Sequence, residues 1–487
     1  MIFLFKYINR LIGLITIVFL FFSCSNNSVF IENGYCIENI NVIDSEKGLQ
    51  ENMTIIVSED KIIRVEKSSE IQLSNKNKII DGKNKFIIPG LWDSHVHFAF
   101  EENLASSMFN LFIAYGVTSV RDTGGEFDFV NHWKNISNNN PNIYPRVKIA
   151  GPLIDGKYNV YDGNSVFFPP LSIKTTTVSE TEKRVKELID NGVDFLKAYE
   201  MLTPEQFKKI IEIAKEHGLK VTGHIPLSMD AISVSNIGIN SIEHLRNLEM
   251  SSTANTEELL NIRRIALENK DKILGSTLRR NLHKSQRISS INKIDSVQLK
   301  KVFEILAKNE TWQIPTLILY KGWAYKLYED SEWKNTFDYL PLEIKEKWNY
   351  QIASAPKTDN TDRKIFSNWG KSMTGLMNKS GIKFMAGTDT PIGFQTPGYS
   401  LHKELEMLVE SGLTNSEALE SATSNPSKYF NMDDKLGYIK EGQIADLVIL
   451  NDNPLKNISN TRKIHAVIKN GNYINKKSID SLLTSIN

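Results

Sequence analysis

Apolar and polar positions follow two rhythms along this chain, and the change of rhythm divides it into parts. From Val29 to about Ile88 the pattern is of short strands broken by turn residues. It predicts strands over Cys36–Val42, Met53–Ser58, Lys61–Lys67 and Lys78–Asp81, with Asp81-Gly82 as a turn. The same texture returns from Gly437 to about Ile474, with strands over Ala445–Leu450 and His465–Lys469 and a turn at Asn470-Gly471. Neither end alone has enough strands for a stable sheet. Joined, they make one small β-sandwich flanking whatever lies between.

The middle alternates helix and strand. Thr203-Pro204-Glu205-Gln206 is a capping box with proline in the first turn, and Phe207, Ile210, Ile211 and Ala214 continue it as an apolar helical stripe. Gly218 is placed to stop that helix, and a short buried strand follows. One unit earlier, a helix over Glu182–Ile189 stops at Gly192 before another strand. The region holds eight candidate strands: Leu91–His97, Val117–Arg121, Val147–Gly151, Val193–Ala198, Leu219–His224, Ile239–His244, Trp312–Leu317 and Ile382–Asp389. Eight strand-then-helix units make an α/β fold of the (β/α)8 TIM-barrel type. The division expected is a leader over 1–24, sheet segments over 29–88 and 436–487, and a barrel over 89–435. The connections after His244 and Leu317 are long. The second is rich in Trp and Tyr, which reads as extra helices packed on the barrel, with a lid over a pocket as the sharper alternative.

Length and charge narrow the function classes. A chain of 487 residues buries a large core, and a formal net charge of +1 supplies no field for nucleic acid. At the N-terminus, Lys6 and Arg10 precede the apolar run Leu11–Phe22, and Ser23-Cys24-Ser25 follows. A basic flank and an apolar core too short to span a bilayer comfortably describe a secretory signal. Leu20-Phe21-Phe22-Ser23-Cys24 resembles a bacterial lipoprotein signal, which implies that Cys24 is lipidated. A plain cleaved signal and an uncleaved anchor are the alternatives. The expectation is an exported protein of the cell envelope, held to a membrane by its lipid. Cys36 then has no partner, because the chain contains only two cysteines.

Polar residues fall at the C-terminal ends of the candidate strands, where TIM barrels keep their chemistry. His95 and His97 are two apart on one strand and project to one face, so both can grip one cation. Lys197 ends a buried strand, where an unpaired ammonium is costly. It either reaches solvent, pairs with Asp389, or has reacted with CO2 to become a carbamate whose two oxygens bridge two metals. His224 and His244 each close a strand one unit apart, and neutral imidazoles suit zinc. Taken singly, each also fits a buried histidine bonded to backbone. Asp389, in Gly387-Thr388-Asp389-Thr390-Pro391, can ligate with one oxygen and accept a proton with the other, or simply shape a turn.

Pro89-Gly90-Leu91-Trp92-Asp93-Ser94-His95-Val96-His97 resembles the opening motif of the amidohydrolase superfamily. Tyr115 to Asp122 is similar to its second-strand segment, and Gly437 to Leu450 to its return into the terminal sheet. The likeness is greatest to the imidazolonepropionase-like and prolidase-like branch. That resemblance implies two divalent metal ions, zinc being the expected pair. His95 and His97 would hold one metal and His224 and His244 the other. Carboxylated Lys197 would bridge them, and Asp389 would serve as ligand and general base. It implies hydrolysis of an amide-type C–N bond in a small molecule (a dipeptide, a cyclic amide or an N-acyl compound) by metal-activated water. Prolidase-like relatives place a tyrosine soon after the fifth-strand histidine, whereas Ile225-Pro226-Leu227 stands here. Tyr199 is a candidate substrate contact, and His402 reads as structural. The rival readings are a mononuclear deaminase using His95, His97, His224 and Asp389, and an anchored binding protein without catalysis.

Overall fold

A computed structural model describes residues 28–165, 167–355 and 359–484. The expected leader and Cys24 lie outside the described residues. Among those described, no helix is long and apolar enough to cross a membrane.

The middle of the chain is α/β with parallel sheets. Leu91–Val96, Val117–Asp122 and Arg146–Ile149 pair in that order. A second sheet runs in the order Ser172–Lys174, Leu153–Asp155, Leu196–Ala198, Val221–Gly223, Ser241–Glu243, Trp312–Ile314. Seven of the eight expected strands are present, most of them shorter than expected. The eighth, expected over Ile382–Asp389, makes only single parallel bridges, at Phe384 to Gln313 and at Thr390 to Val96. Its backbone is nonetheless bonded on both sides: Met385 N–H donates to Gln313 and Asp389 N–H to His95. Asp194 N–H, just before Leu196–Ala198, donates to the Ile149 carbonyl at the end of Arg146–Ile149 and so links the two sheets. The strands end early because the chain turns left-handed where a side chain must be redirected, at φ +64° for His244 and +47° for Thr316.

The helices follow the sequence closely. Thr203 caps Pro204–Glu216 with both bonds of the capping box in place, and Val178–Asp190 covers the other expected helix. One excursion was not legible: residues 153–174 leave the alternation, form two short parallel strands, and lay Leu153, Tyr161 and Leu171 along a cavity. The long aromatic connection packs as helices. Trp333, Phe337 and Trp348 are buried, and the ring of Trp348 meets those of Phe337 and Phe394 edge-on.

Both ends of the chain enter one eight-stranded sheet. Its order is Asn472–Asn475, Ile464–Lys469, Leu447–Leu450, Phe86–Pro89, Gly34–Asp44, Gly48–Ser58, Lys61–Lys67, with Ile79–Asp81 added on Gly34–Asp44. The N- and C-terminal strands meet where Leu447–Leu450 runs antiparallel to Phe86–Pro89. Gly34–Asp44 carries irregularities between Ile37 and Val42, which let one strand serve two neighbours on one side. A separate apolar core, including Ile37, Val42, Ile55, Leu447 and Ile468, lies against this sheet.

Candidate functional site

All six candidate metal-site residues line one cavity: His95, His97, Lys197, His224, His244 and Asp389. They arrive from five separate strand ends. Asp389 Oδ1 lies 3.1 Å from Nε2 of both His95 and His97. These three offer ligand atoms within 4.8 Å of one another. His244 brings its ring 4.5 Å from His95 and 4.8 Å from His224. Asp389 and His244 both hold positive φ without being glycine, a cost that persists only where surroundings impose it.

Each imidazole is oriented through its second nitrogen. His95 Nδ1 is 2.5 Å from Glu243 Oε2, His224 Nδ1 is 2.5 Å from Glu200 Oε1, and His244 Nδ1 is 2.7 Å from Thr316 Oγ1. His97 Nδ1 is 3.1 Å from the Gly124 carbonyl oxygen. At His95, His224 and His97 the partner can only accept, so Nδ1–H donates and Nε2 keeps its lone pair, the arrangement expected of metal-ligating histidines; at His244 the Thr316 hydroxyl can serve either way. Burial pushes His224 down to about 3 and His244 well below the ordinary histidine range, so both stay neutral.

Lys197 does not reach solvent and makes no ion pair with Asp389. It is 1% exposed, its nearest carboxylate oxygen is Glu243 Oε1 at 3.8 Å, and Nζ has no hydrogen-bond partner. Burial, opposed by Glu243, lowers its pKa to about 8. Nζ, His95 Nε2 and Asp389 Oδ1 are thus buried polar atoms without partners, clustered in one place. Such a group is expensive in a folded protein unless something binds there. His95, His97 and Asp389 together make a group that could hold a metal ion, with His224 and His244 close by.

Residues 371–474 match the amidohydrolase family. The chain is 24% identical to a dihydroorotase of Clostridioides difficile over 430 residues, 85% of this chain and 90% of that one. It is 28% identical to an adenine deaminase of Clostridium perfringens over 197 residues, 39% of this chain. That match spans about a third, 32%, of the deaminase's length. Among solved structures it is similar to a Xaa-Pro dipeptidase with methionine in its active site, with a TM-score of 0.67 and 20% identity, covering 91% of this chain and all of that one.

Several residues of this site carried no signal in the pattern. Glu243 is fully buried, receives 2.7 Å from Arg121 Nη2, and also accepts from Thr222 and His95. Glu200 is fully buried beneath His224. Both are acids next to, or three residues from, a predicted ligand on a buried strand, and an acid in such a place needs a partner. Arg246 and Tyr161 also face the cavity, as does Tyr199, which the sequence offers as a candidate substrate contact. His402 is structural: its ring nitrogens lie 2.9 Å from Thr461 Oγ1 and 3.0 Å from the Tyr115 carbonyl.

Proposed function

We propose that the protein is a hydrolase of small molecules that cleaves an amide-type C–N bond with two divalent metal ions, zinc being the expected pair. The observation that carries this reading is the convergence of six side chains from five strand ends on one cavity, three of them with unpartnered buried atoms. On this reading the two parallel sheets and the segment 382–389 close as a (β/α)8 barrel, and the terminal sheet folds over its own core as a small sandwich. His95, His97 and Asp389 hold one metal, and His224 and His244 the other. Neutral Lys197 Nζ would add to CO2 with loss of a proton, and the carbamate so formed would help hold the metals. Bound there, the metals supply Lewis-acid polarisation of a carbonyl and acidification of water. The protein's own part is to hold these groups rigid through Glu243, Glu200 and Thr316, and to move a proton. Asp389 keeps Oδ1 toward His95 and His97 and takes a proton at Oδ2, which it returns to the departing nitrogen. The similar dipeptidase and dihydroorotase support C–N hydrolysis in general and name no substrate for this chain.

The local likeness to an adenine deaminase, together with the tight His95–His97–Asp389 group, favours a second reading as a mononuclear deaminase. Metal analysis of the purified protein separates these readings: two metals per chain are expected, one favours the deaminase, and none favours a binding protein. A panel of dipeptides, N-acyl amino acids and cyclic amides should reveal turnover that chelation abolishes. Two bound metals with no hydrolysis of any of the three classes would sink the proposal. Residues 1–24 serve, in the same reading, as a lipoprotein leader that tethers the enzyme at Cys24 on the outer side of a membrane. Cys24→Ala should release soluble protein or stall processing; unchanged fractionation and mobility would remove the anchor.

A further inference from the structure

One wall of the cavity is built from hydrogen-bond donors. Arg246, two residues beyond His244, sends Nε to the Tyr320 hydroxyl at 3.0 Å and Nη1 to Glu200 Oε1 at 3.5 Å. Its Nη2 bonds to no other described residue, and the side chain lines the cavity. Arg279, from the helix Gly275–Asn292, sends Nη1 to the Tyr199 hydroxyl at 3.0 Å and lies 3.7 Å from the same oxygen of Glu200. Each of these two phenol oxygens therefore accepts from a guanidinium, which leaves its own O–H free to donate. Among the described residues neither Tyr199 nor Tyr320 donates to any acceptor.

The charges are as lopsided as the hydrogen bonds. Two guanidiniums share one carboxylate, and among the described residues Glu200 is the only one within ion-pair distance of either. Glu200 also serves His224 and lies 3.5 Å from His283 Nε2, so it has little left to offer. The remaining groups around Arg246 are Tyr161, Lys197, His224 and His244, none of them an anion in the unmodified chain, and the cavity's other carboxylate, Asp389, lies against His95 and His97. A buried wall with one uncompensated positive charge and three unused donors is built for a single anion.

We infer that this wall is a carboxylate site, and that the substrate carries a carboxylate held by Arg246 with Tyr320 and Tyr199 donating to it. The inference rests on reading the cavity as the active site of a hydrolase. It narrows the substrate from any amide to one with a free acid next to the scissile bond, a dipeptide or an N-acyl amino acid rather than a neutral cyclic amide. The acid sits on the His224 and His244 side, because Arg246 leaves the same strand end as His244.

The test compares N-acetylglycine with N-acetylglycinamide, two probes that differ only in the acid, by calorimetric titration of the metal-loaded protein. The native protein should bind the acid roughly 10–100-fold more tightly than the amide, the worth of a charge-assisted hydrogen bond. Arg246→Met should bring the two affinities together while metal content per chain stays the same, and Arg246→Lys should keep part of the difference. Tyr320→Phe, which removes a donor without touching a charge, should lose a smaller share and guards against misfolding of the arginine variant. Equal affinity for both probes in the native protein, or a preference that survives Arg246→Met, would overturn the carboxylate site. Protein that prefers the acid through Arg246 but hydrolyses nothing keeps this inference and loses the hydrolase.

Discussion

Asp389 meets two demands that a substitution can separate. Asparagine has nearly the same shape and an oxygen for a metal, but it cannot take a proton. Removing a general base costs about 10²–10⁴-fold in rate. Asp389→Asn should therefore keep much of its metal and lose turnover by about that factor; near-native kcat at full metal occupancy would move the base elsewhere. Lys197 makes the complementary case. Its amine is buried, unpartnered and held at about 8 by burial, so a useful fraction is neutral near pH 7 and can add to CO2. Lys197→Ala should lose one or both metals and most activity, and a short-chain carboxylic acid should restore part of each. A mass showing unmodified Lys197 alongside two bound metals would contradict the carbamate. The flanking acids explain why these residues are held so firmly. Glu243 and Glu200 stay well below the usual carboxylate range despite burial, because Arg121 lies against the first and Arg279 against the second.

At the scale of elements, the cavity is framed by contacts between helices far apart in sequence. Glu404, on the helix Tyr399–Glu410, receives Leu317 N–H at 3.0 Å and Ile318 N–H at 2.7 Å, the opening turn of the helix Leu317–Tyr325 that carries Tyr320. Burial raises Glu404 from 4.5 to about 8, more than those two bonds lower it. A carboxyl whose folded pKa lies above its unfolded value holds its proton longer in the folded state. Its contribution is greatest below about pH 4.5 and is lost as pH rises toward about 8. Glu404→Gln stays neutral, so the Tm difference between native protein and variant should shift in the variant's favour across that window and level off above it. A difference that does not vary with pH would show that Glu404 has the same pKa in the folded and unfolded states. The capping box at Thr203 needs no such partner, since both its bonds close within four residues.

The whole molecule is tied together where its ends meet the middle. Asp446 sits just before the strand Leu447–Leu450, accepts from Lys469 Nζ at 3.1 and 3.2 Å, and from Arg146 Nη1 at 2.9 Å. Lys469 belongs to the terminal sheet, while Arg146 opens a strand of the central parallel sheets. Lys469 is 1% exposed, so removing its counter-charge strands a buried ammonium. Breaking a buried pair from one side costs about 3–5 kcal/mol. Asp446→Asn should lose about that much in chemical unfolding, and adding Lys469→Met should recover part of it. Additive losses in the double variant would show that the pair is not coupled.

Much of this was legible in the chain itself, because it depends on neighbours in sequence. Period-two and helical stripes marked most elements, the capping box fixed one helix start, and His95-Val96-His97 set two imidazoles on one face. Lys197, His224, His244 and Asp389 were visible as polar residues ending apolar runs. Other features were decided only by tertiary structure. The Ile382–Asp389 segment forms no regular strand, since its backbone is shared between Gln313 on one side and His95 on the other. The excursion over residues 153–174 has no period of its own and exists because Asp155, fully buried, gathers the N–H groups of Gly156, Val160 and Met201. Glu243, Glu200 and Arg246 looked like ordinary charges on the page. What they do depends on which strand ends the fold brings together, and burial there turns an unpaired charge from a minor cost into one that a partner or a ligand must balance.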